Sequence, residues 1–239
     1  MTARNTEVQL DMARADRIGF DEAILCARKS DQQLTTIMDE LLDAKSSALM
    51  TRLEADVCAG FTDKHTEKLD YDPVSKTAFF NCTAHRQTGF SPVAIVSAGT
   101  SDMPQAAEAI RTLTYLGVPT DQYIDIGVAG LWRLLNQVDS LQKYPAVIAV
   151  AGMHGAVPSV LGGLIPGSII CLPTSTGYGL SHAGETALNA ALASCAPGLT
   201  VVNIDNGYGA ACAAYRMVCL LYTSPSPRDA TLSRMPSSA

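Results

Sequence analysis

From Ser91 onward the chain alternates short apolar runs with Gly-rich turns. The candidate strands are Val93–Ser97, Gln122–Asp125, Ala146–Val150, Ser168–Leu172 and Leu199–Asn203; β-branched runs such as Val93–Ser97 read as buried strands. Helical spacing fills the gaps. Asp102–Leu116 places Ala106, Ala109, Ile110 and Leu113 on one face and ends at Gly117. Ala129–Val138 contains Trp132, Val157–Leu164 is short, His182–Cys195 is Ala-rich, and a last helix starts near Gly209. Strands alternating with helices predict an α/β fold with a doubly wound parallel sheet of about five strands.

Residues 1–88 have a different texture, with most of the charge and few glycines. Ser30 to Leu42 predicts a capped amphipathic helix with Leu34, Ile37, Met38, Leu41 and Leu42 on one face. Lys76 to Phe80 follows the Asp72-Pro73 turn and reads as a strand. These features predict a small N-terminal α+β module, followed by the sheet domain over residues 89–218. Residues 219–239 are rich in Ser, Pro and Arg, without apolar period, as disordered segments are. They resemble translated adapter sequence, so a natural chain is expected to diverge near Val218.

Ligands of doubly wound sheets sit beyond the carboxyl ends of the strands. The turns there are Gly99-Thr100-Ser101-Asp102, Gly127, Gly152-Met153-His154-Gly155, Pro173–Gly179 and Asp205-Asn206-Gly207-Tyr208-Gly209. Strand, small polar turn, helix is the layout that aims free N–H groups at an anion, which points to a nucleotide phosphate on Gly99–Asp102. Asp102 also suits a plain N-cap. His154 stands in a Gly-rich turn where an imidazole can serve as a general base or have no role. Ser175, Gly177 and Tyr178, with Asp205 and Asn206, offer polar groups and pliable backbone to a ligand.

Composition narrows the function classes. The net charge is -6, so no basic surface for nucleic acid is implied. No stretch approaches the roughly 20 apolar residues of a membrane span. The N-terminus lacks a signal-peptide core. Seven cysteines without paired spacing fit a reducing cytoplasm, and the absence of Cys-x-x-Cys with four scattered histidines argues against a structural zinc site. Among these cysteines, Cys195 sits at the end of a predicted helix, where the partial negative charge disfavours a thiolate. Composition alone reads it as a small hydrophobe.

The segments Ser97-Ala-Gly-Thr-Ser-Asp-Met-Pro104, Ala151-Gly-Met-His-Gly-Ala-Val-Pro-Ser159, Pro173-Thr-Ser-Thr-Gly-Tyr-Gly179 and Ser194-Cys-Ala-Pro-Gly-Leu-Thr-Val-Val-Asn-Ile-Asp-Asn-Gly-Tyr-Gly209 resemble the LarB family. Arg14, Arg17-Ile-Gly-Phe20, Glu22 and Lys29-Ser30 are similar to that family's opening. The likeness spans about residues 8 to 218, and its C-terminal half is similar to PurE, the aminoimidazole ribonucleotide carboxylase or mutase. It implies a flavodoxin-like sheet, a homo-octamer and a role in making the nickel-pincer cofactor of lactate racemase. The implied substrates are nicotinic acid adenine dinucleotide and carbon dioxide. The pyridinium is carboxylated at C5 and the phosphoanhydride is hydrolysed, giving AMP and pyridinium-3,5-biscarboxylic acid mononucleotide. No tightly bound cofactor is implied, although Mg2+ could screen the diphosphate.

The resemblance gives Cys195 a covalent role: its thiolate, favoured by the cationic ring, adds to the pyridinium and makes C5 enamine-like. The family usually carries glutamate where this chain has His154, which leaves the base in question. Two alternatives stay open. One is a PurE-like aminoimidazole ribonucleotide carboxylase or mutase, which needs neither Cys195 nor a dinucleotide. The other is a non-catalytic nucleotide-binding protein. A dehydrogenase fits less well, since no GxGxxG follows the first strand of the sheet domain.

Overall fold

The computed structural model describes residues 7–82 and 89–223. The expected module boundary at residue 88 and the stretch from 224 onward lie outside the described residues.

The N-terminal module contains helix α1 (Arg14–Ile18), strand β1 (Ile24–Leu25), helix α2 (Asp31–Asp43), strand β2 (Ala48–Thr51), helices α3 (Ala55–Ala59) and α4 (Asp63–Thr66), and strands β3 (Leu69–Asp72) and β4 (Thr77–Phe80). The strands form one sheet in the order β1-β2-β4-β3. Helix α2 starts where the sequence places it. The Ser30 hydroxyl accepts the Gln33 N–H at 3.2 Å and the Gln33 side chain accepts the Ser30 N–H at 3.0 Å, satisfying two donors that the first turn leaves free. Leu34, Ile37, Met38 and Leu41 are buried against Ile24, Met50 and Phe80, and Leu42 packs at the edge of that core.

The second domain runs β5 (Val93–Ser97), α5 (Met103–Tyr115), β6 (Thr120–Tyr123), α6 (Leu131–Leu135), α7 (Val138–Leu141), β7 (Ala146–Ala151), α8 (Ala156–Gly162), β8 (Ser168–Pro173), α9 (Glu185–Leu192), β9 (Thr200–Val201) and α10 (Gly207–Thr223). The five strands are parallel in the order β6-β5-β7-β8-β9. This is the flavodoxin-like order, with helices on both faces. Ile95, Ile148 and Leu172 face α5 and α10, while Ala94, Val96 and Val147 face Leu134, Leu141 and Leu161 on α6, α7 and α8. Period-two alternation therefore persists inside runs that are apolar throughout.

Several expected elements differ, and the expected strand over Leu199–Asn203 shortens to β9 (Thr200–Val201). Strand β6 begins two residues earlier than Gln122. The expected helix over Ala129–Val138 breaks into a short 3-10 turn, α6 and α7. The expected helix over His182–Cys195 shrinks to α9, because His182 and Ala183 take left-handed backbone at φ +46° and +51° and Cys195 lies beyond the helix end. At the other end, α10 continues through Thr223, so an irregular tail does not begin at Cys219.

The N-terminal module packs on α5 and α10. Phe20, Leu49 and Phe79 share a core with Leu113, Tyr115 and Tyr215. The Arg111 guanidinium stacks 3.8 Å from the centre of the Phe79 ring and donates to the Asp70 carbonyl at 2.6 Å. The Tyr215 hydroxyl donates to the Gly19 carbonyl at 3.1 Å.

Candidate functional site at the carboxyl edge of the sheet

The register aligns the predicted turns. Ser97 pairs with Val150, Ala151 with Pro173, and Cys171 with Val201, so the turns after β5, β7, β8 and β9 leave neighbouring strands side by side. Hydrogen bonds lace them together. Asp102, only 3% exposed, accepts the Gly99 N–H at 3.0 Å and the Thr174 hydroxyl at 2.6 Å. The Thr176 hydroxyl donates to the Ser101 carbonyl at 3.2 Å, and the Met153 N–H donates to the Thr176 carbonyl at 2.8 Å. Asp205 accepts the Ser175 N–H at 2.8 Å.

Three positions depend on special backbone. A Cβ on Gly152 would lie 2.4 Å from the Thr176 carbonyl oxygen and 2.6 Å from the Thr174 hydroxyl, so only glycine lets the turns after β7 and β8 close up. Met153 and Asp205 hold left-handed backbone at φ +55° and +54°. Non-glycine residues rarely adopt that conformation, and it gathers at binding sites.

The candidate residues sort into two groups. Asp102, Asp205 and Asn206 spend side-chain oxygens on backbone N–H groups; Asn206 accepts the Gly209 N–H at 2.8 Å and caps α10. They brace the turns. Thr100, Ser101, Met153, His154, Ser175, Gly177 and Tyr178 are exposed along the edge, with Gly99 half-buried and Gly152 buried beneath them. The N–H groups of Thr100 and Ser101 find no acceptor among the described residues, as the anion-binding layout requires. The His154 side chain makes no hydrogen bond among them either. The described residues hold no group of three or more His, Cys, Asp or Glu that could bind a metal ion.

Cys195 stands apart. Helix α9 carries the chain away from the turns, and Cys195 is exposed in the loop that returns to β9. Its neighbour Ser194 meets Ser159 at 2.7 Å, and Ala196 abuts Gly162 at the far end of α8. Within one chain the thiol therefore lies toward the opposite edge of the sheet from His154.

Sequence reasoning missed four contributors. Thr174 is fully buried and braces Asp102; Thr176 bridges two turns. Glu108, 6% exposed, accepts the Gly207 N–H at 2.9 Å, and its carboxyl is pushed up from the ordinary range by burial. Arg52 of the N-terminal module reaches the Asp205 carbonyl at 2.7 Å. The two threonines sit inside a quoted motif and were within reach of the sequence. Glu108 and Arg52 had no local signal.

Comparison with known proteins agrees with this architecture. A LarB/PurE-like N-terminal domain matches residues 4–82, and an AIR carboxylase domain matches residues 92–228. An uncharacterized protein of Methanocaldococcus jannaschii is 33% identical over 210 residues, which cover 85% of this chain and 80% of that protein. The crystal structure of Treponema denticola PurE aligns with a TM-score of 0.46 at 19% identity, over 60% of this chain and 89% of that one. No described helix is long and apolar enough to cross a membrane. With these two domains in tandem along most of its length, the chain belongs to the LarB family, whose C-terminal half is a PurE-like AIR carboxylase domain.

Proposed function

We propose that this protein carboxylates the pyridinium ring of nicotinic acid adenine dinucleotide at C5 and hydrolyses its phosphoanhydride, releasing AMP and pyridinium-3,5-biscarboxylic acid mononucleotide. The observation that carries this reading is the pairing of a LarB-type N-terminal domain with an exposed thiol at Cys195, neither of which aminoimidazole ribonucleotide chemistry needs.

The chemistry follows from the ring. A pyridinium is electron-poor and does not attack carbon dioxide. When the Cys195 thiolate bonds to C4, the ring becomes a dihydropyridine whose C5 is the nucleophilic end of an enamine. C5 bonds to carbon dioxide and the electron pair leaves the ring nitrogen, giving an iminium. A base, His154 in this reading, takes the C5 proton. The C4–S bond then breaks, the thiolate departs, and aromaticity returns. The phosphate of the pyridine riboside rests on the N–H groups of Thr100 and Ser101. Because Cys195 and His154 face opposite edges of one chain, this reading takes the thiol from a second copy in a homo-oligomer, an octamer by family likeness.

The test is direct. Purified protein is incubated with nicotinic acid adenine dinucleotide and 13C-bicarbonate, and products are followed by mass spectrometry. AMP together with a mononucleotide heavier by one labelled carboxyl group supports the reading. Turnover of carboxyaminoimidazole ribonucleotide instead, with the dinucleotide untouched, replaces it with the PurE-like alternative. No turnover of either favours a nucleotide-binding protein.

A further inference from the structure

The segment between β8 and α9 buries a hydroxyl that the fold leaves unpaired. Ser181 is 7% exposed, and its Oγ finds no hydrogen-bond partner among the described residues. A buried polar group without a partner destabilises a fold, so its retention calls for an explanation in function. The backbone accounts for its place. His182, Ala183 and Gly184 follow it at φ +46°, +51° and +97°, three left-handed residues in a row. Such backbone persists only where the surrounding structure enforces it. Ser181 is thereby turned back against the turn after β8. Its hydroxyl lies 2.4 Å from the point where a Cβ on Gly177 would stand, and the Met153 sulfur lies 3.1 Å from the same point.

A hydroxyl, a thioether and a glycine α carbon thus converge next to His154. Met153 precedes that histidine in the turn after β7, and its N–H is fixed by the Thr176 carbonyl at 2.8 Å. Its side chain is half-exposed, so the flexible thioether is free to swing off Gly177 and Ser181. One neutral donor among uncharged neighbours suits a small neutral molecule with weakly accepting oxygens. An anion fits less well, since anion sites gather charged or multiple donors. Here the carboxylates of Asp102 and Asp205 brace the same turns through Thr174 and Ser175, and they would repel one.

We infer that Ser181 is a further substrate-binding residue whose hydroxyl holds carbon dioxide beside His154, with the Met153 side chain as the mobile cover of that position. The identification of the ligand rests on the function proposed above. When C5 of the dihydropyridine bonds to the carbon of carbon dioxide, one C=O electron pair moves onto oxygen. The Ser181 O–H donates to that oxygen as its charge develops, and no proton moves in this step. A desolvated donor already in place stabilises such charge without reorganisation. Ser181 therefore serves carbon–carbon bond formation, whereas His154 takes the C5 proton afterwards.

Carbon dioxide itself is the probe, supplied to the full-length protein from 13C-bicarbonate with carbonic anhydrase at fixed pH and varied against saturating nicotinic acid adenine dinucleotide. Ser181→Ala and Ser181→Cys should each lower kcat/KM for carbon dioxide at least about tenfold, with the KM for the dinucleotide unchanged. A second readout omits carbon dioxide. In D2O the Cys195 adduct takes a deuteron at C5 and then loses a proton to the base, so the ring exchanges its C5 hydrogen without carboxylation. Ser181→Ala should exchange at the wild-type rate, which a general disturbance of the turns would not allow. Because the Oγ has no partner, the melting temperature of Ser181→Ala should equal or exceed that of the wild type. An unchanged carbon dioxide dependence, exchange lost together with carboxylation in the variants, or a clearly lower melting temperature overturns the inference and leaves the wild-type reaction standing. A wild-type protein that neither exchanges nor carboxylates the dinucleotide overturns the reaction and this assignment together.

Discussion

Removing the Asp102 carboxylate should loosen the edge on which the site is built, and the structure supplies the magnitude. Its two oxygens each hold one donor, the Gly99 N–H and the Thr174 hydroxyl, and both the carboxylate and Thr174 are buried. Hydrogen bonds to a charged group contribute roughly 1.5–3 kcal/mol each. Against that stands the several kcal/mol spent on desolvating a carboxylate, which Ala recovers. Asp102→Ala also strands one N–H and one hydroxyl, at about 1–3 kcal/mol each. The net expectation is a loss of about 2–4 kcal/mol. Asp102→Asn keeps the shape. Its amide oxygen can accept the Gly99 N–H, and its NH2 can donate to Thr174, whose hydroxyl turns acceptor. That variant should lose only about 1 kcal/mol. Urea unfolding with unchanged m-values reads both, and a cycle with Thr174→Val isolates the shared bond. An Ala variant within about 0.5 kcal/mol of wild type, or Asn as damaging as Ala, would refute the assignment of Asp102 as the brace of these turns.

Four further outcomes are expected. Cys195→Ala should abolish carboxylation of the dinucleotide while shifting unfolding by less than about 0.5 kcal/mol, because the residue is exposed; near wild-type turnover removes the covalent step. His154→Ala should lower carboxylation by roughly two or more orders of magnitude, and His154→Glu, which keeps a proton acceptor at that position, should retain activity; a Glu variant as inactive as the Ala variant takes the base elsewhere. Gly152→Ala should destabilise by at least about 2 kcal/mol, because backbone and hydroxyl oxygens stand under 3 Å from the added carbon; a neutral effect in urea unfolding would mean that these turns yield freely. Burial raises the Glu108 carboxyl, with Arg52 and the Gly207 and Tyr208 N–H groups opposing, so its stabilising contribution is complete below the ordinary Glu range and is lost as pH rises through the raised value. Glu108→Gln keeps an acceptor for Gly207 without ionising, so the stability of wild type minus variant should fall from about pH 4 to about pH 8, and a flat difference rules out this linkage.

The central sheet was legible because its strands are buried on both faces. Val93–Ser97 matches its run to the residue, and the runs at 146 and 168 extend by one. The edge strand Thr120–Tyr123 carries polar residues, so pairing with β5, rather than its own pattern, sets its register. In the N-terminal module Ile24–Leu25, Ala48–Thr51 and Leu69–Asp72 are too short for any period to stand out. Around His182 the Ala-rich segment promises a longer helix than forms, because tertiary packing decides: a Cβ on Gly184 would sit 2.7 Å from the Thr174 carbonyl oxygen. At the site, small polar turns mark the edge in the sequence, but the bonds that stiffen it do not show. Asp102–Thr174, Glu108–Gly207 and Arg52–Asp205 span 72, 99 and 153 residues. The position of Cys195 follows from topology, since a segment between a returning helix and a parallel strand lies at the edge opposite the turns.

Helix α5 explains how two modules make one edge. Its first turn follows Asp102 and places Gln105 beside a cleft that Arg52 of the N-terminal module also lines, and Glu108 one turn on caps the start of α10. Further along, Arg111 and Tyr115 grip the N-terminal sheet: Arg111 lies over Phe79, and the Tyr115 hydroxyl is 3.2 Å from that of Ser47. Residues three and four apart share a helix face, so Gln105, Glu108, Arg111 and Tyr115 form a continuous strip joining the strand-end turns to the N-terminal module. Arg52 closes the loop by returning from β2 to Asp205. The module is thus held at both ends of the strip, by aromatic packing at one and by a guanidinium at the other. A module that merely tethered the sheet domain would need the packing alone. The bond from Arg52 to the backbone of a strained residue in the last turn ties the module to the shape of the site itself.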